Sequence, residues 1–183
     1  MKPRRKVLIA VGLPGAVKST YFAERGILPL SSDLIRELLY DNASDQRHPE
    51  WVFAILRELL RRRLAAGAEK TYIDATNLTR FFRRPFLQIA REFGCLAQAL
   101  YFDVPLEICL ERNRKRAKLP QGAKSNSGRR LVPEEALRRM ARRLQPPTKS
   151  EGFSRIVVVR PGFGRTAAAR NATQKSRSRA QPE

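Results

Sequence analysis

Cysteine and histidine are nearly absent from this chain. Cys95 and Cys109 are its only thiols and His48 its only imidazole. Two cysteines give neither a disulfide framework nor a metal cluster, and one histidine argues against a histidine-based zinc site. Both cysteines fall in expected core elements and read as inert buried thiols. His48 falls in a polar loop, where nothing marks it as catalytic. Long hydrophobic runs are missing too. The apolar stretches at 7–11 and 156–159 fall far short of the ~18 residues a membrane span needs, so no membrane association is expected. The basic start (Lys2, Arg4, Arg5, Lys6) leads into an apolar stretch that ends at Gly12 without a small-residue cleavage site. A secretory signal is therefore not expected, and a reducing cytoplasm is the simplest location. Acidic residues are scarce, 17 against 37 Lys and Arg, for a net charge of +20.

What is present suffices for a core. Hydrophobic residues make up 42% of the 183 positions, which excludes a wholly disordered basic protein and fits one domain. The excess positive charge points to a polyanionic partner, a nucleic acid or a nucleotide phosphate, though it also fits mere solubility. The charge is uneven. The stretch 112–143 is dense in Arg and Lys, opposed mainly by Glu134 and Glu135, and residues beyond 160 are basic with little apolar content. A folded unit over 1–160 and a disordered basic tail over 161–183 are expected.

Strands and helices alternate along the folded unit. Strands are predicted at 7–11, 27–30, 71–74, 96–102 and 155–159, and the wholly apolar run at 7–11 is the pattern of a buried parallel strand. Helices are predicted from the loop after Ser19 to about 25, then over 33–40 (capped by Ser32), 50–66, 79–93, 105–116 and 133–144. Residues 119–131 read as a Gly/Ser/Lys loop. Such alternation means an α/β three-layer sandwich on a mostly parallel five-stranded sheet.

The first loop carries the sharpest signal. Gly12, Leu13, Pro14, Gly15, Ala16, Val17, Lys18, Ser19 and Thr20 follow the first strand. The phosphate-binding template is G-x-x-x-x-G-K-[ST], and Gly12, Lys18 and Ser19 fit it in register. Backbone N–H groups of such a loop wrap a β-phosphate, the lysine reaches the β/γ oxygens, and the serine hydroxyl ligates Mg²⁺. The second glycine is replaced by Val17, which brings side-chain bulk beside the phosphates.

Other groups gather at strand ends. Asp33 and Arg36 are three apart on one helix face. They are either an exposed ion pair or an acceptor-activating carboxylate with its orienting cation. Asp74 ends a strand and is followed by Thr76 and Asn77. This trio either supports an acceptor, with Asp74 near Mg²⁺ through water, or caps the next helix. Arg80, Arg83 and Arg84 are a solvated face or contacts to acceptor phosphates. Phe81 and Phe82 either pack in the core or stack on a base. Trp51 opens the long helix and reads as a packing anchor. Arg112 and Arg116 share a helix face that leads into the 119–131 loop.

Four blocks, 12–20, 31–36, 73–78 and 109–116, with 132–134 and 151–153, resemble the polynucleotide kinase branch of small P-loop kinases. That branch comprises AAA-type ATP-binding kinases and includes the kinase domains of nucleic-acid end-healing enzymes. The likeness runs from about Val7 to Val159. It implies a P-loop NTPase fold with a helical lid, and transfer of the ATP γ-phosphate to a hydroxyl, the 5′-hydroxyl end of RNA or DNA being the best match. It implies a cofactor site at Gly12, Pro14 to Thr20, Arg112 and Arg116, with Mg²⁺ on Ser19. Catalysis would fall to Lys18, Asp33, Arg36, Arg112 and Arg116, and acceptor binding to Arg36, Asp74, Thr76, Asn77 and Arg84. No second catalytic domain is evident, so ligase or phosphatase partners in nucleic-acid repair would be separate chains. Two other readings stay open. One is a P-loop kinase for a small hydroxyl compound. The other is a non-catalytic nucleotide- or nucleic-acid-binding module, which Val17 favours.

Overall fold

The computed structural model describes residues 4–118 and 131–160. The loop expected at 119–131, Leu131 excepted, and the tail expected at 161–183 lie outside the described residues. The strands are β1 (Lys6–Val11), β2 (Leu30–Ser31), β3 (Lys70–Asp74), β4 (Leu96–Phe102) and β5 (Arg155–Val159). They form one sheet in the order β2-β3-β1-β4-β5, with every pairing parallel. The helices are α1 (Lys18–Ala23), α2 (Ser32–Tyr40), α3 (Pro49–Ala65), α4 (Arg80–Glu92), α5 (Leu106–Ala117) and α6 (Glu134–Arg143).

Each face of the sheet has its own apolar core. Successive strand residues point to opposite faces. Val7 and Ile9 of β1 and Ala97 and Ala99 of β4 join Val52, Leu56, Leu60, Leu64, Phe86 and Ile89 of α3 and α4. Ala10 of β1 and Leu100 and Phe102 of β4 join Phe22, Cys109, Leu110 and Leu137 of α1, α5 and α6. The result is the α/β sandwich expected from the alternation of elements. Both cysteines are free and buried. Burial pushes the Cys109 thiol above its ordinary pKa, despite nearby Lys18, Arg112 and Arg116, so it is the inert thiol expected.

Several local expectations are corrected. The second strand is Leu30–Ser31 rather than 27–30, because the Ile27 N–H bonds back to Phe22 O at 2.9 Å and closes the end of α1. Ser31, not Ser32, caps α2, its side chain accepting from the Leu34 N–H at 3.3 Å. Ser32 is instead buried as the first helical residue. Trp51 is 53% exposed and stacks on His48 at 4.0 Å between centroids. The inward row of α3 is Val52, Leu56, Leu60 and Leu64, and Trp51 lies one residue off it.

Arg83 departs furthest from its expected place. It is fully buried, not a solvated or phosphate-binding side chain. Its Nε and Nη2 donate to both Glu151 oxygens at 2.7 and 2.8 Å. Nη1 donates to the carbonyls of Asn77, Leu78 and Gln145 at 3.0, 3.3 and 2.9 Å. This bidentate pair clamps the β3–α4 loop to the chain between α6 and β5. Burial pushes the Glu151 carboxyl up, but the Arg83 and Thr148 N–H bonds outweigh it and hold the group below its ordinary 4.5. Breaking one side of a buried pair costs about 3–5 kcal/mol. Glu151→Ala is therefore expected to lower unfolding stability at pH 7 by about that amount in urea titrations. A carboxylate with a depressed folded pKa stabilises above its unfolded value and loses that contribution as pH falls through the folded one. The gap between wild type and variant should accordingly close below about pH 4.5.

Candidate functional site

The sheet order sets the site. β1 lies between β3 and β4, so the loop after β1 meets the loops after β2 and β3 at the C-terminal sheet edge, where ligands of parallel α/β folds bind. Ser31 pairs with Asp74 across β2 and β3, which sets Asp33 beside the end of β3. The Gly12 N–H donates to Thr76 O at 3.0 Å, and Asn77 Nδ2 donates to Ala10 O at 2.8 Å. The loop after β3 is thus stitched to the start of the phosphate-type loop.

That loop is closely fitted. A Cβ on Gly12 would lie 2.9 Å from the Phe102 Cβ. At Gly15, where φ is 84°, a Cβ would lie 2.9 Å from the Cys109 carbonyl oxygen. Neither position accepts a side chain without backbone movement. Val17 occupies the left-handed region at φ 60°, ψ 25°. This is the place of the missing glycine, and the conformation costs a non-glycine residue roughly 1–2 kcal/mol. The valine therefore adds backbone strain to the bulk legible in the sequence.

Two buried charges face each other behind the loop. Lys18 is 8% and Asp74 6% exposed. Lys18 Nζ donates to Gly12 O and Leu13 O at 3.0 and 2.8 Å. Burial pulls the Lys18 pKa down, against the opposing pull of Asp74 and Asp33. Burial pushes Asp74 up, while Lys18 and a hydrogen bond from the Ser19 hydroxyl hold it down. Ser19 Oγ donates to Asp74 Oδ2 at 2.8 Å. Arg36 is 3% exposed, and its Nη1 donates to Asp33 Oδ1 and Ser32 O, each at 3.1 Å. The exposed ion pair that spacing allowed is instead a pair with one buried partner.

These groups open on one cavity of about 830 Å³. Of the residues singled out in the sequence, its lining brings together Pro14, Gly15, Val17, Lys18, Ser19, Thr20, Asp33, Arg36, Asp74, Thr76, Asn77 and Arg116. Gly12 and Ala16 are buried beneath it and do not line it. Arg112 does not line it either; its Nη1 donates to Gly15 O at 3.1 Å and braces the loop from behind. Arg84 is exposed and outside the lining. Arg114 turns away to Glu134 at 2.7 Å, as its helix position implies. Thr76 and Asn77 do not cap α4, whose N-cap residue is Thr79. Phe53 and Arg57 on α3 also line the cavity and were not foreseen. Their signal, a position one residue after Val52 and Leu56 of the buried α3 row, appears only once that row is known. Arg143, at the end of the basic stretch 112–143, lines the cavity too.

Ser19 and Asp74 offer hard oxygen donors of the kind Mg²⁺ takes alongside water and phosphate oxygens. Among the described residues no three His, Cys, Asp or Glu gather to hold a metal by themselves. The donor set therefore fits a cation shared with a bound polyphosphate rather than a protein-only cage.

Residues 7–147 match the AAA domain family, and the chain belongs to it. A candidate kinase from Chloroflexus aurantiacus superposes with TM-score 0.67 at 16% identity, over 97% of this chain and 100% of that one. Kti12 of Chaetomium thermophilum in complex with ADP-AlF3 gives 0.65 at 18%, over 96% and 100%. A chain of the Pnkp1/Rnl/Hen1 RNA repair complex gives 0.62 at 24%, over 79% of this chain and 45% of that one. These likenesses establish a P-loop kinase-like fold. Among the described residues no helix is long and apolar enough to cross a membrane.

Val17→Gly is expected to raise unfolding stability by about 0.5–1 kcal/mol, the relieved strain less the added chain entropy of glycine. Urea melts of the two proteins read this directly, and equal midpoints would mean that the strain at Val17 is no larger than the chain entropy that glycine adds.

Proposed function

We propose that the protein is an ATP-dependent phosphotransferase whose acceptor is the 5′-hydroxyl end of a polynucleotide. The observation that supports this most is the convergence of Lys18, Ser19, Asp74, Asp33, Arg36 and Arg116 on one cavity. In this reading the loop from Gly12 to Thr20 holds the nucleotide phosphates. Lys18 has two backbone carbonyl partners and turns its charge to the β/γ oxygens when a nucleotide enters. Ser19, and Asp74 through water, would hold Mg²⁺, which would supply neutralising charge to the nucleotide phosphates.

Asp33 holds the acceptor hydroxyl and takes its proton as the new O–P bond forms. The bond from the γ-phosphorus to the β–γ bridging oxygen breaks, and ADP leaves with that electron pair. Arg36 orients the Asp33 carboxylate through its 3.1 Å bond. Arg116 supports charge on the transferring group, and Arg112 acts one step back by fixing the Gly15 carbonyl. Basic surface recruits the acceptor strand, so transfer should weaken as salt rises.

The test is transfer of label from γ-labelled ATP to a 5′-hydroxyl oligonucleotide. Wild type should label the end. Asp33→Ala should lower kcat by about 10²–10⁴ with ATP affinity nearly unchanged, and full transfer by that variant would remove the assigned base. Transfer only to small hydroxyl compounds would move the acceptor assignment. Absence of ATP binding in wild type, restored by Val17→Gly, would favour a non-catalytic module.

A further inference from the structure

The part of the cavity lining that α3 and α4 supply has a different character. It includes phenyl rings. Phe53 of α3 and Phe82 of α4 lie nearly parallel, with centroids 6.1 Å apart and planes at 26°. Phe81 meets Phe82 edge-on at 5.6 Å and 77°. All three rings line the cavity. Phe81 is 79% and Phe82 39% exposed, so core packing does not account for them. The lining also carries two cations, Arg57 of α3, one helical turn from Phe53, and Arg143 of α6. Arg36, Asp33 and Lys18 belong to the same lining.

We propose that this aromatic part is a subsite for the terminal nucleobase of the acceptor, with Phe82 as the stacking residue and Arg57 and Arg143 on the adjoining phosphate. The proposal rests on the polynucleotide reading above and adds the residues that select the acceptor. Flat π-faces beside guanidinium groups are what a single-stranded end presents a match for. Bases stack without sequence preference, and the backbone supplies the anions. A small polyol would call instead for a wall of hydrogen-bonding groups, and Phe53, Phe81 and Phe82 supply none there. Charge complementarity and a lining shared with the phosphate-type loop thus commit the occupant to a nucleic-acid terminus. The subsite predicts indifference to which base is terminal and dependence on there being one.

The experiment compares two short 5′-hydroxyl oligonucleotides, one ordinary and one with an abasic 5′-terminal residue. Binding is measured by calorimetry and transfer by labelling. The ordinary end should bind wild type about tenfold more tightly than the abasic one. Phe82→Ala should raise KM for the ordinary end about tenfold without moving KM for ATP, and should erase the difference between the two ends. Phe82→Trp should keep that difference. Arg57→Gln should weaken both ends and reduce the slope of log affinity against log salt by about one. Matching thermal melts of wild type, Phe82→Ala and Phe82→Trp control for folding. Equal binding of the two ends by wild type, or an unchanged KM in Phe82→Ala, overturns the subsite. Binding that depends on the base without any transfer would sustain the subsite and remove the kinase reading. Transfer that ignores the base would do the reverse, and no binding to either end would remove both.

Discussion

A fully buried guanidinium anchors the working edge of this fold. Arg83 turns its donors to two carboxylate oxygens and three backbone carbonyls. Two of those carbonyls belong to Asn77 and Leu78, in the loop after β3. The same loop accepts the Gly12 N–H at Thr76 and holds Ala10 through the Asn77 side chain. One charge thus fixes the connection after β3, which fixes the entry to the phosphate-type loop. A buried pair of this kind is weak evidence for net stability. Its geometric consequence is firmer, because five donors in a planar fork admit few arrangements of the groups around them.

The neighbouring charges are placed at a cost. Lys18 and Asp74 are both desolvated, and burial shifts each toward its neutral form. Val17 sits in a backbone region that disfavours β-branched residues. A bound polyanion would recover part of this loss, because a phosphate would add to the countercharge that Asp74 and Asp33 give Lys18. Val17 is different in kind. Its strain is backbone strain, so occupancy of the loop does not relieve it. This one aliphatic residue is the point where chain chemistry and loop geometry disagree.

The sheet was legible because β1 and β5 hold short uninterrupted apolar runs, as buried parallel strands do, and because strand and helix patterns alternate between them. The loop at 12–20 was legible because spacing alone places a lysine and a hydroxyl where phosphates lie. Arg83 was not, since nothing local separates it from Arg80 and Arg84. Its partner Glu151 is remote in sequence, and only the closed fold brings the two together. Trp51 failed for a related reason. Helical period predicts a buried stripe but not which neighbouring residue falls just outside it, and Trp51 is one position from Val52. Phe53 and Arg57 escaped notice because α3 was read for that stripe, and the cavity looks onto its flank.

The large positive charge divides once side chains are placed. On the outer helix faces much of it is answered locally. Arg62 pairs with Glu58, Arg139 with Glu135, and Glu134 takes both Arg114 and Arg138. Exposed pairs of this sort contribute little to stability, and salt screens them. At the cavity the balance differs. Four arginines and Lys18 line it against Asp33, Glu50 and Asp74, and Asp33 and Asp74 are already engaged by Arg36 and Ser19. An anion entering there meets positive groups held by low-dielectric walls, where a charge counts for more than it does on an open helix. Composition therefore overstated the surface and understated the site. The number that matters is not the net charge of the chain but the few cations the sheet edge and its flanking helices turn inward, with the three phenyl rings beside them.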